Sequence, residues 1–211
     1  MLYGFIFVLF TVIKNITTRT EVSGRQNLSR GACIVVANHV NLLDSPILGI
    51  SLGRKVRFMA KEELFDNGLI AFFTHQFGGF PVGKGRLDRR AGKTALEVLA
   101  GGETLVIFPE GKRSPDGKLG PAYGGAGLLA SKTGVPVVPV GITGTSRLVG
   151  KMWFLRRPRI HLNIGKPFTL KYRGDTLTRE VSRELSVEVM EHIAAQLPEE
   201  YRGEYGRDLT K

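Results

Sequence analysis

Ala32-Cys33-Ile34-Val35-Val36-Ala37-Asn38-His39-Val40-Asn41-Leu42-Leu43-Asp44-Ser45-Pro46 decides how the rest of the chain is read. Its first six residues form a continuous apolar, partly β-branched run, the pattern of a strand buried on both faces of a parallel sheet. Open α/β sheets bind ligands beyond the carboxyl ends of such strands, which is where His39 falls. Ser45-Pro46 reads as N-cap and first residue of a following helix, so Asp44 stands just before a helix start, five residues from His39. A carboxylate accepting from one imidazole nitrogen fixes the tautomer and stabilises the imidazolium, and the other nitrogen is left free to take a proton. That is a general base with its orienter. Without context, Asp44 merely supports a helix start and His39 is a satisfied histidine in a turn.

Downstream, residues 88–100 carry Ala91, Ala95, Leu96, Val98 and Leu99 and end at Gly101-Gly102, a capped helix feeding a buried strand over 104–108. Such a βαβ step sets Glu110-Gly111 on the same rim as His39, with Arg113 within reach. Ser114-Pro115-Asp116-Gly117 is a turn signature. Between these blocks, residues 56–60 read as a second strand, and Lys61-Glu62-Glu63 opens a helix toward Phe72 and Phe73. The apolar stretch 69–73 fits an acyl-chain groove, a lipid contact or core packing. Residues 78–86 read as a short strand entering a flexible basic loop, where Lys84 and Arg86 are phosphate-contact candidates, or else a solvated basic face.

Further on, 122–132 reads as a helix and 135–142 as a strand that Pro136 and Pro139 push to an edge or irregular position. Residues 159–166 alternate as a last strand. Leu177, Val181, Leu185, Val189, Ile193 and Leu197 form a packing stripe along a C-terminal helix, and the tail from Pro198 reads as loosely held. His75, His161 and His192 have no carboxylate at a useful motif position and read as structural.

Thirty Lys plus Arg against 19 Asp plus Glu give a formal charge of +11, which implies an anionic partner: nucleic acid, an acidic membrane surface or a phosphorylated substrate. The one cysteine, Cys33, sits inside the apolar strand; it excludes an intrachain disulfide framework and reads as a small buried hydrophobe. Residues 2–13 are almost wholly apolar but fall short of the ~20 a spanning helix needs. They fit a helix lying in one leaflet, anchored by Lys14 and Arg19, with a buried core helix as the alternative. From 151 to 174 there are seven Lys or Arg and no acid, with Met152-Trp153-Phe154-Leu155 beside Arg156-Arg157. This suits a membrane interface with Trp153 at headgroup depth, although single-stranded nucleic acid is bound by the same residue types.

Asn38-His39 and Asp44, then Gly79-Phe80-Pro81-Val82, Phe108-Pro109-Glu110-Gly111-Lys112-Arg113-Ser114 and Val135-Pro136-Val137-Val138-Pro139-Val140 occur in that order. In these blocks the chain resembles the glycerophospholipid acyltransferase family, which includes 1-acylglycerol-3-phosphate acyltransferase. From about Glu21 on, the resemblance implies an α/β fold, a central mostly parallel sheet flanked by helices, as the acyltransferase domain in 21–211; residues 1–20 are expected from their own apolar composition to be a short membrane-associating helix. The resemblance implies transfer of a fatty-acyl group from acyl-CoA or acyl carrier protein to the free hydroxyl of 1-acylglycerol-3-phosphate, giving phosphatidic acid. His39 and Asp44 are then the catalytic pair. Glu110 positions the acceptor's hydroxyls, Gly111 admits close backbone approach, and Arg113, Lys84 and Arg86 meet the phosphate. No metal or resident cofactor is expected; the thioester is a co-substrate. The implied partners are a lysophospholipid acceptor and an anionic membrane at the cytoplasmic face, and not nucleic acid. Lys84 replaces the family's usual arginine, Lys112 its usual threonine, and Tyr123-Gly124-Gly125-Ala126 lacks its usual lysine. These departures leave room for another lysophospholipid or glycolipid acceptor, or for a catalytically inactive lipid-binding protein.

Overall fold

A computed structural model describes residues 2–83, 89–172 and 178–206. Along the chain come α1 (Leu2–Thr17), β1 (Arg19–Ser23), β2 (Cys33–Ala37), α2 (Asp44–Leu52), β3 (Val56–Lys61), α3 (Gly68–Gln76) and β4 (Gly79–Val82). Then follow α4 (Arg89–Ala100), β5 (Thr104–Ile107), α5 (Gly125–Thr133), β6 (Val137–Thr143), β7 (Arg159–Ile164) and α6 (Arg179–Ala194).

The strands form one sheet in the order β1-β7-β6-β2-β5-β3-β4. Every neighbouring pair is parallel except β6 and β7. β2 lies near the middle and is buried throughout. Its alternate side chains serve two cores, as the two-residue period of the pleat dictates. Ile34 and Val36 join Ala95, Leu129, Val189 and Ile193 of α4, α5 and α6 on one face. Cys33, Val35 and Ala37 join Ile47, Leu48 and Leu52 of α2 on the other. α1 packs on α2, and its Phe10 meets edge-on both Phe73 of α3 and Phe77 just after it, with centroids at 5.5 and 4.8 Å.

Several local expectations are corrected. α2 starts at Asp44 after Leu43, with no side-chain cap, so Ser45 is not the N-cap. The helix expected from Lys61 is a 3₁₀ turn, Glu62–Phe65, and then α3, whose N-cap Asn67 accepts from Leu69 and Ile70 N–H. α5 starts at Gly125, and β1 is an edge strand that the polar residues around Glu21 did not announce. β6 is interior, between β2 and β7, in spite of its proline. Pro139 O accepts from Gly165 N–H just past the end of β7. A residue's N and O point to the same side of a strand, so the donor that Pro139 lacks falls where the ladder has already stopped.

α4 closes as expected: Gly102 at φ +76° is left-handed, and Glu103 N–H turns back to Val98 O. The stretch after Pro198 is held through Gly206, because Tyr201 and Tyr205 pack on the core and Tyr201 O accepts from Leu119 N–H. On the packing stripe Leu185, Val189, Ile193 and Leu197 are buried, while Leu177 lies outside the described residues. His161 does have a carboxylate, Glu21 of β1 across the edge ladder at 3.2 Å, but both are exposed.

Candidate active site

β2 ends at Ala37, and Asn38 makes the next link. Buried at the strand end, its Nδ2 donates to Ile142 O (2.9 Å) and its Oδ1 accepts from Ile142 N–H (2.7 Å). This two-way grip on β6 fixes where the chain leaves the sheet. A polar side chain ending so apolar a run had to be satisfied internally, which was the available signal for it.

His39 follows, with Nδ1 2.9 Å from Asp44 Oδ2. The same oxygen accepts Val40 N–H and Asn41 N–H, each at 2.7 Å, and Asp44 is fully buried. An ionised carboxylate only accepts, so Nδ1 is the donor and the lone pair of the neutral ring lies on Nε2. The His39 side chain is 16% exposed, and its ring stacks on Phe108 with centroids 4.3 Å apart. A base that is oriented, supported from below and still open to the rim is what a proton transfer from a bound hydroxyl requires.

β5 delivers the second segment. Glu110 is 2% exposed, and both its oxygens meet backbone amides: Oε1 accepts His39 N–H (2.9 Å) and Oε2 accepts Gly120 N–H (3.1 Å). Burial pushes its pKa up, against the opposing pull of those two amides and of His39. Gly111 sits at φ +61°, where a Cβ would come within 2.8 Å of the Tyr123 ring. That turn therefore needs glycine for both conformation and room. Ser114 N–H donates to His39 O at 2.7 Å, and the Ser114 hydroxyl bonds Asp116 as turn chemistry predicts. Arg113, beside it, is exposed.

The rim thus brings together His39, Asp44, Glu110, Gly111 and Arg113. Lys84 and Arg86 lie outside the described residues. On the β6 side, Asn41 Nδ2 donates to Leu148 O (3.4 Å). Among the described residues no group of three or more His, Cys, Asp or Glu is placed to hold a metal ion. Two clefts, one lined by Arg183, Ser186 and Glu204 and the other by Thr143, His161 and Gln196, contain neither His39 nor Asp44. The site is defined by its residues and not by cavity size. Cys33 plays no part in it: the buried thiol lies 3.7 Å from Thr104 Oγ1, and burial pushes its pKa up.

The family profile described as Acyltransferase matches residues 19–143, a span that includes both halves of this rim. The chain belongs to the acyltransferase family. It is 36% identical over 157 residues to a chloroplastic 1-acyl-sn-glycerol-3-phosphate acyltransferase of Brassica napus, covering 71% of this chain and 45% of that one. It is 31% identical to the 1-acyl-sn-glycerol-3-phosphate acyltransferase of Bacillus subtilis, covering 79% and 82%. The chain therefore spans less than half of the plant relative and most of the bacterial one. Among solved structures it resembles the 1-acyl-sn-glycerophosphate acyltransferase PlsC of Thermotoga maritima, with a TM-score of 0.64 and 32% identity over 85% of this chain and 75% of that one.

Proposed function

We propose that this chain transfers a fatty-acyl group from a thioester, acyl-CoA or acyl carrier protein, to the free hydroxyl of 1-acylglycerol-3-phosphate, giving phosphatidic acid. The observation that carries the reading is the 2.9 Å contact of His39 Nδ1 with Asp44 Oδ2 at the carboxyl rim of an acyltransferase sheet. His39 Nε2 takes the hydroxyl proton as the oxygen attacks the thioester carbonyl, and Asp44 balances the imidazolium that forms. The tetrahedral oxyanion collapses, the C–S bond breaks, and the thiolate leaves with the proton from His39. No enzyme nucleophile is needed.

Exposed Arg113, one residue from the Ser114–His39 bond, suits a phosphomonoester next to the base, with Lys84 and Arg86, which lie outside the described residues, as further candidates. Charge-assisted bonds are worth about 1.5–3 kcal/mol each, so Arg113→Ala should lower kcat/KM for lysophosphatidate by about tenfold to a hundredfold. The dephosphorylated monoacylglycerol should be affected far less. Mass spectrometry of the products that purified protein forms from a panel of lysolipids checks both points; equal losses on the two acceptors would move the assignment to another lysolipid or a glycolipid.

The same reading sets the protein on an anionic membrane at the cytoplasmic face. Its support is an apolar surface. Phe5, Val8, Leu9, Val12, Ile13 and Ile16 of α1 are exposed, as are Leu69, Ile70 and Phe72 of the adjoining α3. Phe154 and Leu155 are exposed on the 3₁₀ turn Trp153–Arg156, which also touches α1, as is Met152 just before it. The hydroxyls of Thr11, Thr17 and Thr18 turn back to carbonyls four residues earlier, which satisfies them without water. Among the described residues no helix is long and apolar enough to cross a membrane, and the exposed apolar side chains suit an interfacial contact. Two details differ from the expected anchoring. Lys14 turns inward to Ser51 Oγ (3.5 Å), and Trp153 packs half-buried against the core.

A further inference from the structure

Three consecutive backbone N–H groups follow β2, and each meets a carboxylate. Val40 and Asn41 donate to Asp44, but His39 N–H donates to Glu110 Oε1, from a residue 71 positions away. The other Glu110 oxygen takes Gly120 N–H, and His39 O accepts from Ser114 N–H. The main chain of His39 is therefore clamped on both sides by one loop. One half of that clamp is a side chain with almost no access to solvent.

We propose that Glu110 is a positioning residue that acts on catalysis through the backbone of His39, holding the imidazole at its place on the rim, and does not contact the acceptor. The inference rests on reading His39 as the base. Both partners of Glu110 are N–H donors, so the position needs two acceptor oxygens at once. Glutamine offers one oxygen and one NH₂, which leaves donor facing donor at either His39 or Gly120. Aspartate has both oxygens on a chain one methylene too short to span the two amides. The ring is bounded by Asp44 at 2.9 Å and Phe108 at 4.3 Å, so a shift of the His39 backbone carries Nε2 out of line with the hydroxyl.

The test uses the full chain with Glu110→Gln and Glu110→Asp, read in two ways. The first is kcat and acceptor KM for acyl-CoA and 1-acylglycerol-3-phosphate, per folded molecule by circular dichroism. The second is the pH titration of the His39 imidazole by NMR on histidine-labelled protein, assigned by its loss in His39→Gln. We expect kcat to fall by about tenfold to a hundredfold with acceptor KM changed by less than about threefold. We expect the His39 resonance to move in both variants while those of His75 and His161 stay. A raised acceptor KM with kcat retained overturns the proposal in favour of an acceptor contact. A lowered melting temperature with kcat and the His39 resonance unchanged overturns it in favour of a purely structural role. The NMR reading needs no turnover: wild-type protein inactive on every lysolipid would sink the proposed function, yet a moved His39 resonance would still support positioning. An unmoved resonance in both variants defeats it whatever the rates.

Discussion

Three donors converge on Asp44 Oδ2: the His39 ring and the amides of Val40 and Asn41. Asp44 therefore shapes the turn and orients the imidazole, and its loss should be felt in both. His39→Ala removes the proposed proton acceptor together with the ring's contacts to Asp44 and Phe108, and should cut turnover per folded molecule by about a hundredfold to ten-thousandfold, while the backbone bonds to Glu110 and Ser114 remain. Asp44→Asn allows the imidazole the wrong tautomer and should cost about a thousandfold or more, with some loss of melting temperature besides. Turnover at saturating substrate together with thermal melts separates the two. Near-normal turnover of folded His39→Ala would remove the general base from the mechanism. The His39-Asp44 spacing was legible because a turn of five residues is a local object. The bonds of Glu110 to the His39 and Gly120 amides were not, since a carboxylate just past a strand reads equally well as aimed at ligand or at backbone.

Among the elements, α6 carries a pH-sensitive contact remote from the rim. His192 stacks on Phe168 with ring centroids 3.6 Å apart. Burial pushes its pKa below the ordinary 6.5, outweighing the upward pull of Glu188 and Glu191. The unfolded chain then binds the proton more readily than the folded one. The stability from the neutral, stacked ring is present above the unfolded value and lost as pH falls through the lower, folded value. His192→Phe keeps a ring against Phe168 and cannot be protonated, so its melting temperature should fall less between about pH 7 and 5 than that of the wild type. Parallel melting curves across that range test it. α6 itself was readable as a helix from its i, i+4 stripe, and β6 as a strand from its β-branched residues. That β6 lies inside the sheet was not readable, because Pro139 is tolerated only through where β7 stops.

At the scale of the whole molecule, a formal charge of +11 accompanies an apolar surface formed by α1, α3 and the turn at Trp153. An interfacial protein uses both: apolar side chains enter the acyl boundary and basic groups meet anionic headgroups. Burying one large apolar side chain is worth about 1.5–3 kcal/mol, so the double variant Leu9→Asp, Val12→Asp should weaken binding to phosphatidylglycerol-containing vesicles by at least about a hundredfold. Both residues are already exposed, so the melting temperature should hold. Vesicle co-sedimentation measures the first and calorimetry the second; unchanged co-sedimentation would show that this face does not meet lipid.

What depends on near neighbours is legible along the chain: the doubly buried strand 33–37, the His39-Asp44 turn, the Gly102 helix stop and the order of the motif blocks. Apolar periodicity, turn chemistry and residue spacing are properties of a few consecutive residues. Tertiary structure alone decided what depends on which strands lie side by side. Asn38 finds Ile142 across 104 positions, and Glu110 finds His39 across 71. Lys14 turns toward Ser51, and Trp153 packs half-buried against the core. Those pairings follow from strand order and register, which are set by burial summed over both faces of the sheet, and no short stretch of chain carries that sum.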